Sequence, residues 1–217
     1  MDTYKAIRSR IDASISGIDR LCDIGNGGVF DYDAGRVKNI VALDLFLDDL
    51  PASSSFPENV TLQRGDALQI PFPSESFDGV LMSMLIHHLV GKTVTESLDN
   101  VHIAIREAFR VLTFGGKLIV VESCIPPWFF LVERFIFPVA SRIINRLLRH
   151  PATLQYPSSL LLQMVMDTFH NGEVSSIPLG KWVLQFGVKF PSVFTPVTPY
   201  IVIAKKQKNI FDALQGR

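Results

Sequence analysis

Short apolar runs separated by longer mixed segments place the strongest limit on how this chain can fold. The runs are Arg20–Ile24, Asn39–Leu43, Val60–Gln63, Gly79–Met82 and Lys117–Val121. Runs this short suit strands covered on both faces, and the spacers leave room for crossovers, so the pattern predicts strand–helix–strand units and a parallel sheet. Between the fourth and fifth runs, "SLDNVHIAIREAFRVLTFGG" sets Val101, Ile105, Ala108, Phe109 and Leu112 at helical spacing. Gly115 and Gly116 are expected to stop that helix. Two later runs, Lys181–Val188 and Tyr200–Lys205, are joined by the proline-punctuated "KFPSVFTPVTP". That link is too short for a crossover helix, so an antiparallel hairpin is expected to close the sheet.

The chain's 217 residues, 47% hydrophobic and 19% charged, are enough for one domain with a sizeable core. Lysine plus arginine and aspartate plus glutamate both number 21, so no basic excess points to nucleic acid as a partner. The most apolar stretch, Leu118 to Leu148, is interrupted by Glu122, Glu133, Arg134 and Arg142, and no membrane span is expected. The leader "MDTYKAIRSRIDASI" lacks the apolar centre of a signal peptide. Cys22 and Cys124 are too few for a disulfide framework and read as reduced, buried thiols of a cytoplasmic protein.

The turn after the first run, "LCDIGNGGVFDYD", narrows the chemistry. Glycines directly after a strand let a ligand approach the backbone, because no Cβ stands in the way. A dinucleotide fingerprint would need glycine at position 30, where Phe30 stands, and Asp23 interrupts the apolar run before the turn. Hydride transfer with a nicotinamide is disfavoured on both counts. Asp44 ends the second run, where an acid can accept both hydroxyls of a ribose. Asp66-Ala67 follows the third, where a carboxylate and a backbone N–H can read an adenine edge. Ser83-Met84 ends the fourth, on the same carboxyl edge of the sheet.

The motifs "DIGNGG", "VALDL", "GDALQIPFPSESFDGVLMSMLIHHL" and "REAFRVLTFGGKLIVVE", in this order, resemble those of the class I S-adenosylmethionine-dependent methyltransferases. The likeness is strongest to the small-molecule group that includes the ubiquinone and menaquinone methyltransferases, and it runs from about Leu21 to Glu122. It implies a Rossmann-like three-layer α/β sandwich around a seven-stranded, mostly parallel sheet closed by an antiparallel hairpin. It also implies S-adenosylmethionine as cofactor, with S-adenosylhomocysteine as product. By position, Asp23, Gly25, Asn26 and Gly27 would border its methionine part, and Asp44 would hold the ribose. Leu45 or Phe46 would lie on the adenine face, Asp66 and Ala67 at its edge, and Ser83 and Met84 by the ammonium and sulfonium. The third glycine comes early, at Gly28, and "VFDYDAGRV" is a poor helix former, so the first helix is expected to be short or distorted.

Methyl transfer needs alignment and water exclusion, and a base only where the acceptor must lose a proton. His87, His88 and Glu122 are the candidate catalytic groups; no metal-ligand set stands out. Residues 1–17 read as a cap helix over the cofactor, with Tyr4 and Arg8 able to touch it. Residues 125–175 read as a helical substrate lid, in which Trp128, Phe129, Phe130, Phe135 and Phe137 line an acceptor pocket or pack on the domain or on a second subunit. Arg134, Arg142, Arg146 and Arg149 in the same stretch meet an anion or a membrane surface, or are simply solvated. The expected partner is a small molecule, apolar or linked to a lipid or glycan, and the expected state a monomer or homodimer. A methyltransferase-like scaffold without turnover is the second reading.

Overall fold

The five apolar runs form five parallel strands, in a computed structural model that describes residues 3–47, 56–147, 153–180, 182–185, 188–192 and 195–208. They are β1 (Arg20–Ile24), β2 (Asn39–Asp44), β3 (Val60–Arg64), β4 (Phe77–Ser83) and β5 (Leu112–Cys124). Helices α1 (Thr3–Ser14), α2 (Val94–Val111), α3 (Pro127–Leu147) and α4 (Ser158–Phe169) are joined by β6 (Glu173–Ser176), β7 (Trp182–Gln185), β8 (Val188–Pro191) and β9 (Thr198–Lys205). The main sheet has seven strands in the order β3-β2-β1-β4-β5-β9-β6. Only β9 runs against its neighbours, β5 on one side and β6 on the other.

Alternation along each strand feeds two apolar layers. Val80 and Met82 of β4 join Leu118 and Val120 of β5 beneath Val101, Ile105 and Ala108 of α2 and Leu161 and Val165 of α4. Leu81, Ile119 and Val121 point the other way, into a layer with Ile7, Ile11 and Ile15. Each such side chain stabilises the fold by about 1.5–3 kcal/mol on full burial. Three layers follow: helices, sheet, and α1 with the loops beside it. Cys22 and Cys124 are free and buried within the sheet, and burial pushes both thiols up. Among the described residues, no helix is long and apolar enough to cross a membrane.

Two expectations meet the structure differently, and a third is met. The antiparallel closure is present, but β9 pairs with Glu173–Ser176, while Trp182–Gln185 pairs with Val188–Pro191 in a separate ribbon. The reason is in β9 itself: Ile201 is buried on one face and Val202 and Ala204 on the other. A strand covered on both faces takes an interior place with two partners. The second helix stops at Val111, before the glycines, because Leu112 turns extended and enters β5. Gly116 instead serves a bulge: a Cβ there would stand 2.9 Å from the Thr113 carbonyl oxygen and 3.0 Å from that of Asp78. The expected defect in the first crossover is real. Residues 25–38 contain no α-helix, only a 3-10 turn at Ala34–Arg36 begun by Asp33, whose carboxylate accepts the Gly35 N–H. Tyr32, Ala34 and Val37 from that loop pack beside α1.

The loop after β3 is fastened to α2. The Arg110 guanidinium donates to the carbonyls of Ile70 (2.8 Å) and Phe72 (2.7 Å) and to both oxygens of Glu107, which in turn accepts the Ile70 N–H. Glu107 is held below its ordinary pKa, first by its bond to Arg110. Arg110→Ala is expected to lower stability by about 1–3 kcal/mol, since two carbonyls and a carboxylate lose their donor. Urea denaturation checks this, and a change below the fitting error would mean the clamp is only decorative.

Candidate cofactor site

Strand order reverses between β1 and β4, which open a crevice at their carboxyl ends. The chain leaves β1 through Gly25, whose φ of +73° is left-handed and whose added Cβ would lie 2.5 Å from a Leu85 methyl. Only glycine fits there. The Gly25 N–H donates to the Leu43 carbonyl (2.8 Å), which ties the turn to β2. Asp44, at the tip of β2, accepts the Gly27 N–H on one oxygen and the Phe46 N–H on the other, both at 2.8 Å. Each oxygen keeps a lone pair for a further donor.

The crevice is a cavity of about 820 Å³. Gly25, Asp44, Leu45, Phe46, Asp66, Ala67 and Met84 line it, together with His88. Asp66 folds back to accept the Leu68 N–H, and the Ala67 backbone faces the cavity beside it. Met84 has φ +53°, a strained value for a side chain of its kind, and donates its N–H to Val121. Four expected residues stand outside the lining. Asp23 is buried behind the turn, where its Oδ2 accepts from Asn26 Nδ2 and from the Tyr32 hydroxyl at 2.8 Å. Burial pushes its pKa up to about 7 in spite of those two bonds. Gly27 contributes only its N–H to Asp44. Asn26 Oδ1 and Ser83 Oγ are buried acceptors without a partner among the described residues.

The three candidate catalytic groups separate. Glu122, at the end of β5, is fully buried and accepts from the backbone of Ser123 (2.7 Å) and His87 (3.2 Å). His87 Nδ1 lies 2.7 Å from Glu122 Oε1. Burial pulls the His87 imidazolium down, but the Glu122 charge and hydrogen bond outweigh it, and the net direction is up. The His88 ring lies 4.1 Å from that of His87 and is the one that reaches the cavity.

The aromatics of α3 divide too. Phe137 lines the cavity and Phe130 is buried, but Trp128 and Phe135 point outward, so no pocket forms beneath the whole stretch. The register of the helix decides this, since those two stand half a turn from Phe130 and Phe137. Tyr4 and Ile7 line a smaller cavity of about 150 Å³ with Met84, Ser123 and Gln155. Sequence reading missed Tyr32, the buried partner of Asp23, and the pair Glu133 and Tyr156. Glu133 Oε2 and the Tyr156 hydroxyl are buried without a partner among the described residues, and burial raises the Glu133 carboxyl to about 7. No motif marks these three residues. Among the described residues there is no cluster able to hold a metal ion.

The methyltransferase domain family matches residues 22–120. A demethylmenaquinone methyltransferase of Symbiobacterium thermophilum is 32% identical over 119 residues, which cover 50% of this chain and 44% of the relative. The uncharacterized methyltransferase YcgJ of Bacillus subtilis is 29% identical over 174 residues, covering 76% of this chain and 60% of YcgJ. The chain thus spans only part of the length of these relatives. The crystal structure of YcgJ superposes with a TM-score of 0.63 at 19% identity, covering 95% of this chain and 99% of that one. Residues 22–120 thus match a methyltransferase domain, and the fold is the one that YcgJ adopts. The residues that line the crevice fit S-adenosylmethionine in chemistry. A bare turn at Gly25 and two carboxylates at neighbouring strand tips, Asp44 and Asp66, border one crevice, while Asn26 and Ser83 lie outside its lining.

Glu122→Gln is expected to carry the His87 titration midpoint from above the free-histidine value to below it, because burial remains and the charge is gone. Stability from the pair is complete below the free-histidine pKa and is lost as pH rises through the His87 midpoint. Histidine-resolved NMR titration measures it; an unmoved midpoint would refute the pairing.

Proposed function

We propose that the chain moves a methyl group from S-adenosylmethionine to a small, largely apolar acceptor of quinone-like class. One observation supports this above the others: Asp44 and Asp66 stand at the tips of adjacent strands on a cavity that begins at the Gly25 turn. Bound S-adenosylmethionine supplies a methyl on a cationic sulfur, which is its own activated leaving group. The protein's part is to hold, align and dry the reactants. Asp44 accepts the ribose hydroxyls, with Leu45 and Phe46 against the adenine face. Asp66 takes the adenine amino group while the Ala67 N–H meets a ring nitrogen. Gly25 and Gly27 admit the methionine part to the backbone, Asp23 braces that turn from behind, and Asn26 Oδ1 and Ser83 Oγ accept from its ammonium.

The cavity continues past Met84 along Leu85, Leu89, Val90 and Phe137. That apolar wall, together with relatives named for demethylmenaquinone, supports an acceptor with an extended apolar ring. His88 removes the acceptor proton where one must leave, and the His87–Glu122 pair holds the segment that presents it. Residues 1–17 act as the cap, and residues 125–175 as the lid that excludes water.

The second reading, a binding protein without turnover, draws on one feature: no helix follows the glycine turn, and both Asp44 oxygens already accept backbone N–H groups. Tight binding of S-adenosylhomocysteine with no methylation across a panel of quinols and phenols would favour it.

Asp44→Ala is expected to weaken S-adenosylhomocysteine binding by about 1–3 kcal/mol through lost charge-assisted hydrogen bonds. Calorimetric titration reads it, and an unchanged Kd would remove the ribose assignment. His88→Ala is expected to cut turnover by roughly 10²–10⁴-fold with cofactor affinity intact. Unaltered turnover would end its role as base.

A further inference from the structure

Helix α3 has one face on the domain and one in water. Phe129, Phe130, Glu133 and Phe137 turn inward, with Phe130 and Phe137 buried. Trp128, Leu131, Val132, Phe135 and Ile136 recur at intervals of three and four residues and are all exposed, Trp128 to 62% and Phe135 to 83%. Isolated apolar residues are ordinary on a protein surface; five large ones in register along one helical stripe are not.

Charge on the helix is one-sided as well. Between Pro127 and Leu147 stand Arg134, Arg142 and Arg146, against a single acid, Glu133. Glu133 belongs to the inward face, where burial holds its carboxyl up to about 7, so the outward face presents no carboxylate. Arg134 is exposed beside the apolar stripe. An apolar stripe with a tryptophan at one end and an exposed arginine, Arg134, beside it, on a helix whose one acid faces inward, is the composition of a helix lying in a lipid interface. A second copy of this chain is a poorer occupant. Two-fold pairing through this stripe would set Arg134 of one copy near Arg134 of the other.

We infer that α3 docks the protein on an anionic bilayer, seating Trp128, Leu131, Phe135 and Ile136 at the boundary of headgroups and acyl chains while Arg134 beside them meets lipid phosphates. Phe137, on the inner face of the same helix, lines the cofactor cavity, so docking brings the wall of that cavity to the membrane surface. The contact itself does not depend on methyl transfer.

The test uses the full chain with vesicles of phosphatidylcholine, alone or with about a third phosphatidylglycerol. The protein is expected to sediment with the anionic vesicles and several-fold less with the neutral ones, and added salt should weaken binding. In a Trp182→Phe background only Trp128 emits, and its fluorescence should shift to the blue on the anionic vesicles. Phe135→Ser, at an exposed position, should lower partitioning about tenfold while leaving the circular dichroism spectrum intact. Absence of sedimentation with either vesicle by a folded protein would overturn the inference. So would a dimer in solution that Phe135→Ser dissociates, because the stripe would then be a protein interface.

Discussion

Where β1 and β4 lie side by side, the chain departs in opposite directions, towards β2 and β3 on one side and β5 on the other, and leaves a crevice at their carboxyl ends. Everything at the site depends on that divergence. It sets the tips of β2 and β3 along one rim, and with them Asp44 and Asp66. It brings Met84 and His88 from the end of β4 to the opposite wall. Parallel strands make this possible because all their carboxyl ends fall on the same edge.

The loop from Asn26 to Lys38 shows how a defect in one element is compensated elsewhere. A crossover helix would ordinarily cover this part of the sheet, and Asp31, Asp33 and Gly35 forbid one. In its place Tyr32 is buried and donates to Asp23, α1 supplies Ile7 and Ile11 with Ile15 just after it, and Asp12 accepts the Asp33 N–H. The turn is thus held by side-chain hydrogen bonds rather than by a helix N-terminus. The carboxyl of Asp23, lifted to about 7 by burial, registers the desolvation that this arrangement entails.

The sheet was legible because buried parallel strands read as short apolar runs, and β1 is found at its expected bounds. Asp44 and Asp66 were legible for the same reason: a strand tip is a fixed place once the strand is known. What could not be read depends on long-range packing. Whether Trp128 faces inward or outward is set by the register of α3 against α2, and periodicity offers either face when both are apolar. The partner of β9 was misread because the proline-rich link suggested a near neighbour, whereas β6 lies beyond a longer excursion through β7 and β8. Tyr32 and Tyr156 lie in segments with no pattern, and only the folded chain brings them near the buried carboxyls of Asp23 and of Glu122 and Glu133.

A crystal structure with S-adenosylhomocysteine bound is the most direct examination of the crevice. It should hold the ribose on Asp44, the adenine beside Asp66 and Ala67, and the amino-acid end at Asn26 and Ser83. Density for the nucleoside elsewhere on the molecule, or a crevice that stays closed to it at saturating concentration, would contradict the assignment.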